Sequence, residues 1–135
     1  MALSLKPGVV LTGLLLTLAL VDPAAAQCDP AAIAGAWAMI GSNNGVWANC
    51  TVTAEADGSI TGRCFGTGRP TRGSKVEGNL ELAADCGFTG LLTGRGFEQE
   101  IIAGQLAPSQ EIGAGILRFG PEPKNLGLHF TLVRQ

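Results

Sequence analysis

Residues 49–65 read Asn49-Cys50-Thr51-Val52-Thr53-Ala54-Glu55-Ala56-Asp57-Gly58-Ser59-Ile60-Thr61-Gly62-Arg63-Cys64-Phe65. On extended chain the side chains alternate, so Cys50, Val52, Ala54, Ile60, Gly62 and Cys64 fall on one face while Thr51, Thr53, Glu55, Thr61 and Arg63 fall on the other. A three-residue loop, Ala56-Asp57-Gly58, with Gly58 left-handed, sets Glu55 opposite Ser59 and makes the segment an antiparallel hairpin. In that register Cys50 stands directly across from Cys64.

The same alternation recurs on both sides. Gly35–Ile40, Val46–Glu55, Ile60–Phe65, Val76–Ala83, Phe88–Thr93, Phe97–Leu106, Ile112–Phe119 and Leu126–Arg134 give about eight short strands. The turns between them are short and rich in Gly, Pro, Asn and Asp. One helical turn is expected at Asp29-Pro30-Ala31-Ala32-Ile33-Ala34, where Asp29 caps and Pro30 takes the first helical position. A thin open meander would leave two long unpaired edges. Closure into a small antiparallel up-and-down β-barrel is therefore the expected fold of an all-β domain over residues 27–135.

Composition agrees with this. The chain has 135 residues, 46% apolar and 15% charged, too short for two ordinary domains and too apolar for disorder. Twenty glycines, 5% aromatics and no tyrosine describe tight turns and thin side chains. A net charge of −2 gives no bulk attraction to nucleic acid, and none is expected as a partner.

Residues 1–26 read as a signal peptide. Lys6 precedes the apolar run Val9 to Val21, and Ala24-Ala25-Ala26 places cleavage before Gln27. The run is shorter than the roughly 20 residues of a membrane helix, so no stable span is expected. Gln27 before Cys28 does not fit a lipidation site. A membrane β-barrel would need strands of roughly 9–11 residues and aromatic girdles, for which the chain lacks both length and tyrosine. The expected location is periplasmic or secreted.

All four cysteines, Cys28, Cys50, Cys64 and Cys86, lie in the exported part, so two disulfides are expected. Strand direction assigns them. Cys50 begins the second strand and Cys64 ends the third, at one end of the meander. Cys28 precedes the first strand and Cys86 follows the fourth, at the other. The pairs are then Cys50–Cys64 and Cys28–Cys86. With no C-x-x-C and a single histidine, neither metal nor cofactor is expected.

Catalytic chemistry finds no constellation. His129 alternates outward between Leu128 and Phe130, and Glu77, Glu81, Glu98 and Glu100 sit on outward strand faces. No enzyme is expected. Gly66 to Gly73 lacks nucleotide-loop spacing and reads as a loop carrying Arg69 and Arg72, with Lys75 just beyond. Loops at the same end hold Ser42, Asn43, Asn44, Arg95 and Lys124, whereas Asp29, Asp57 and Asp85 lie at the other. The barrel is expected to have a basic mouth and an acidic closed end, with the mouth meeting an anionic ligand or acidic protein surface. Ile102, Leu106 and Val133 are expected outward as an apolar side patch, leaving the oligomeric state open. Asn49-Cys50-Thr51 also matches a glycosylation sequon, with Asn49 outward.

Ile33-Ala34-Gly35-Ala36-Trp37, with Arg134 on the last strand, resembles the calycin pattern of lipocalins and avidins. The resemblance implies that Trp37 plugs the closed end and that Arg134 packs across it. The avidin-like version extends over Cys28, Gly41-Ser42 and Asp57-Gly58 to Gly62. Met39 stands where that family has an asparagine, Cys64 where it has a tyrosine, and its later pocket tryptophans are missing. Biotin is not the expected ligand, and only Ser42, displaced by one position, remains of the contacts. Ala34-Gly35-Ala36-Trp37 and Cys50-Thr51-Val52-Thr53 are also similar to the small periplasmic inhibitors of secreted metalloproteases. Those are eight-stranded barrels with a bridge between strands two and three that insert an N-terminal segment into the protease, which maps onto Gln27–Ile33. A Cys28–Cys86 bridge would tether that segment.

The expected function is an exported, non-enzymatic binding module acting through its mouth loops, on the second resemblance a proteinase inhibitor. The alternatives are a carrier of a small anionic or apolar ligand inside the barrel and a structural envelope or secreted protein.

Overall fold

The computed structural model describes residues 27–43, 45–67, 69–119 and 127–135; the expected signal peptide, Asn44 and Lys124 lie outside them. A 3-10 turn, Pro30–Ile33, is capped by Asp29, whose carboxylate accepts from the Ala31 N–H at 2.9 Å. Eight strands follow: β1 Gly35–Asn43, β2 Val46–Ala54, β3 Ser59–Gly66, β4 Arg69–Leu82, β5 Gly87–Gly94, β6 Phe97–Leu106, β7 Ile112–Phe119 and β8 Leu128–Arg134. Each pairs antiparallel with the next, and β8 pairs back onto β1 from Trp37↔Arg134 to Ser42↔His129. The barrel is closed, so no strand is left with an unpaired edge.

The central hairpin forms in the expected register. Cys50 faces Cys64, and the Glu55 N–H donates to the Ser59 carbonyl at 2.8 Å. Gly58 is left-handed at φ +86°, and its carbonyl accepts from the Leu80 N–H at 2.7 Å. Both bridges are made, Cys28–Cys86 and Cys50–Cys64.

The interior is lined mainly by apolar side chains, with Ser74 and Gln99 the buried polar residues among those described. Trp37, Met39, Val52, Ile60, Leu80, Phe88, Leu92, Leu117, Phe130 and Leu132 are all buried, around the Cys50–Cys64 bridge. Glycines make room for the large rings. A Cβ on Gly104 would lie 2.3 Å from the Phe88 ring, and one on Gly115 would lie 2.6 Å from the Phe130 ring. The two rings meet at 6.2 Å between centroids, tilted by 58°. Charged side chains face out, as Arg63, Lys75, Glu77, Glu81, Glu98 and Glu100 do. An apolar inside with charges along the outer wall is the reverse of a membrane barrel's lining.

Three expectations need correction. Gly41, Ser42 and Asn43 are strand and not loop, because β1 pairs with β2 through Asn43↔Val46 and with β8 through Ser42↔His129. Arg69 to Gly73, expected as part of a glycine-rich loop, belong to β4. Cys64 pairs with Ser74 and Gly66 with Arg69, so β4 carries three more residues than β3 between those two pairs. Pro70 has no N–H to give the ladder, and Gly73 is left-handed at φ +56°, so the excess is absorbed as a wide bulge. Leu106 is buried, not outward. A register shift between Ile101 and Ala103 inserts one extra residue in β6 and flips the alternation beyond it.

Candidate functional site

The two ends of the barrel differ in what seals them. At the end holding the N-terminal segment, Arg134 lies over the Trp37 ring, 4.3 Å from its centroid. Its guanidinium donates to the carbonyls of Ala34 and Ala32 at 2.7 Å each and to Gln110 at 3.1 Å, and its Nε lies 3.4 Å from Glu111 Oε1. The Trp37 indole N–H donates to the Ile33 carbonyl at 2.8 Å. Cys28 is bonded to Cys86 and donates its N–H to the Ala84 carbonyl at 2.9 Å, while Ile33 is buried. Cys28 to Ile33 is thus held by a covalent bond, a buried side chain and a cation. The segment is built as a plug, and an inserting arm at Gln27–Ile33 would have to break these contacts.

At the opposite end the expected basic residues that are described divide between β4, which holds Arg69 and Arg72, and the β5–β6 turn, which holds Arg95. Ser42 is exposed on the outer face of β1, and Arg95 is exposed in the β5–β6 turn. Asn43 ends β1, while Arg69 and Arg72 lie on β4, the latter in its bulge; the side chains of these three are outside the description. The rim is tied by Thr67, whose hydroxyl accepts from the Trp47 N–H at 3.0 Å.

The described part of the basic region is one step down the wall. Arg63 on β3 and Lys75 on β4 are direct cross-strand partners and both are exposed. Like charges in that position repel. Neither forms an ion pair among the described residues, where the two pairs are Arg118–Glu100 and Arg134–Glu111. They flank an open groove of about 430 Å³ with Thr51, Thr61 and Glu77. Lys75 is the first outward residue after the bulge that contains Arg72. The sequence places Arg63 on the outer face, but only the β3–β4 register sets it against Lys75.

Elsewhere the titratable residues are dispersed. Ser42 and His129 are cross-strand neighbours, yet no hydrogen bond joins them and β1, β2 and β8 present no outward carboxylate that could orient the imidazole. Among the described residues no three of His, Cys, Asp or Glu are grouped to hold a metal. Glu98 and Glu100 share a groove with Glu81, and Glu100 is paired with Arg118. Among the described residues two buried side-chain atoms have no hydrogen-bond partner, Oε1 of Gln99 and Nε of Arg118.

Fold and site together define a closed eight-strand up-and-down barrel with two disulfides, consistent with a calycin-like barrel, carrying on one wall a basic couple that has no ion pair among the described residues. Compared with models of protein families, with curated proteins and with solved structures, the chain finds no match.

Proposed function

We propose that the protein is an exported, non-enzymatic binding module whose contact surface is the basic flank of β3 and β4 together with the adjoining rim. The observation that carries this is the exposed couple Arg63 and Lys75, set opposite each other with neither in an ion pair among the described residues. A cross-strand repulsion costs stability and is relieved when an anionic group bridges the two cations. Arg95, exposed in the β5–β6 turn, adds the same sign, β4 also contains Arg69 and Arg72, and a local excess of positive charge speeds the approach of an acidic partner. A secreted proteinase is the first partner class to test, on the resemblance of Ala34-Gly35-Ala36-Trp37 and the Cys50–Cys64 bridge. The clamped Cys28–Ile33 segment means that such inhibition would work through the basic flank. Two disulfides fit an oxidising compartment.

Carriage of a small ligand inside the barrel is the second reading, supported by the partnerless Gln99 Oε1. It rests on that one atom, whereas two exposed cations carry the first reading. A structural role without a dedicated ligand is the remaining alternative.

The test compares wild type with the double variant Arg63→Ser, Lys75→Ser on a sulfated polyanion resin and against a panel of secreted metalloproteases. Salt-sensitive retention and inhibition by wild type, both lost in the variant, are expected. Equal behaviour of the two proteins removes the basic flank as the contact surface. Native mass spectrometry of the exported protein, showing a retained small molecule, would move the weight to carriage.

A further inference from the structure

The outer wall of the barrel is divided. On β1 the outward residues are Ala36, Ala38, Ile40 and Ser42, and their ladder neighbours on β2 and β8 include no Asp, Glu, Lys or Arg. On β7 the first charged outward residue is Arg118, near the strand's end. The large apolar residues exposed among those described are Ile40 (60%), Ile112 (45%), Trp47, Ile102 and Val133 (42% each). Four lie on this wall and Ile102 borders it, on β6 beside β7. Arg63, Lys75, Glu77, Glu81, Glu98 and Glu100 all lie on β3, β4 and β6. Solvated walls of small barrels mix the two kinds, and a contiguous apolar region marks a contact surface.

We propose that the wall formed by β7, β8, β1 and β2 docks a second copy of this chain about a two-fold axis. Charge selects that occupant. Among the described residues the formal charge of this wall is confined to Arg118 near the end of β7, already paired with Glu100, so the rest of it meets its own copy with no like charges opposed, whereas a charged partner would lose hydration there without gaining a counter-ion. Shape agrees. An open groove of about 770 Å³ runs across β1, β8 and β7, floored by Gly41, Ala114 and Gly115, with Ile40 standing at its side. In an isologous contact each Ile40 enters the groove of the other copy. The wall is also modest in size: four strands at about 4.8 Å and seven residues at about 3.3 Å give a small interface, so a micromolar dissociation constant is expected.

Sedimentation velocity of the processed, disulfide-bonded chain over about 1 to 500 µM tests this. A reversible monomer–dimer equilibrium is expected. Ile40→Lys should raise the dissociation constant at least about tenfold. Thr131→Lys, exposed and directly across from Ile40, should do the same and serves if the first variant folds poorly. Glu81→Lys, on the charged wall, should leave the constant unchanged. A monomer throughout the range overturns the proposal, and so does a dimer indifferent to both lysines.

Discussion

Arg134 joins three parts of the chain that are far apart in sequence. One guanidinium covers the Trp37 ring and binds carbonyls before β1 and in the β6–β7 turn. Its side chain is 22% exposed, so these bonds are only partly in competition with water. Hydrogen bonds to a charged group contribute about 1.5–3 kcal/mol and the ring contact adds to that. Arg134→Met should therefore cost roughly 2–4 kcal/mol in urea unfolding. Arg118→Met removes only an exposed pair with Glu100 and should cost under about 1 kcal/mol. Similar losses for the two would refute the clamp. Gly58 is a second such residue, because a Cβ there would come within 2.1 Å of the Leu80 carbonyl oxygen and φ is +86°. Gly58→Ala should destabilise by about 1–3 kcal/mol, read as a lower urea midpoint.

The hairpin of β2 and β3 depends on Asp57. Its carboxylate accepts from the Ser59 hydroxyl at 2.7 Å and from the Ser59 N–H at 2.9 Å. These bonds hold the carboxyl below its ordinary value of 3.8, the hydroxyl bond contributing most. A lowered value in the folded state means that the stabilisation is present above the ordinary carboxylate range and is lost as pH falls through the folded value. Asp57→Asn should accordingly be less stable than wild type at neutral pH, with the gap closing below about pH 4. A gap that stays constant would place the effect elsewhere. In β3 and β4 the repulsion between Arg63 and Lys75 gives an opposite expectation. Lys75→Thr should raise stability by about 0.2–1 kcal/mol while weakening polyanion retention, the pattern of a residue kept for contact rather than for folding.

Across the whole molecule, two bridges and ring closure hold a small core. Cys28–Cys86 spans 58 residues and Cys50–Cys64 spans 14. Loop entropy assigns about 4 kcal/mol to the first and about 3 kcal/mol to the second. Replacing both members of the first pair by serine should lower the thermal midpoint more than replacing the second pair, since it also frees the N-terminal plug from Cys86. The division of the outer wall belongs to this scale too. The apolar half is assigned to self-association and the basic flank to a partner, on different strands, so one protomer can serve both contacts.

The meeting of Trp37 with Arg134 was implied by the resemblance to the calycin pattern, whereas alternation, turn chemistry and cysteine placement were enough to determine an all-β barrel, its central hairpin and both bridges. Each follows from local rules: a period of two, a left-handed glycine, and strand direction reversing at every turn. What the tertiary structure alone decided depends on register. The bulge in β4 takes Arg69 and Arg72 out of a loop, the extra residue in β6 turns Leu106 inward, and the ladder between β3 and β4 sets Arg63 against Lys75. A shift of one residue changes which side chains share a face without altering the local pattern on either strand, so only the paired strands could fix it.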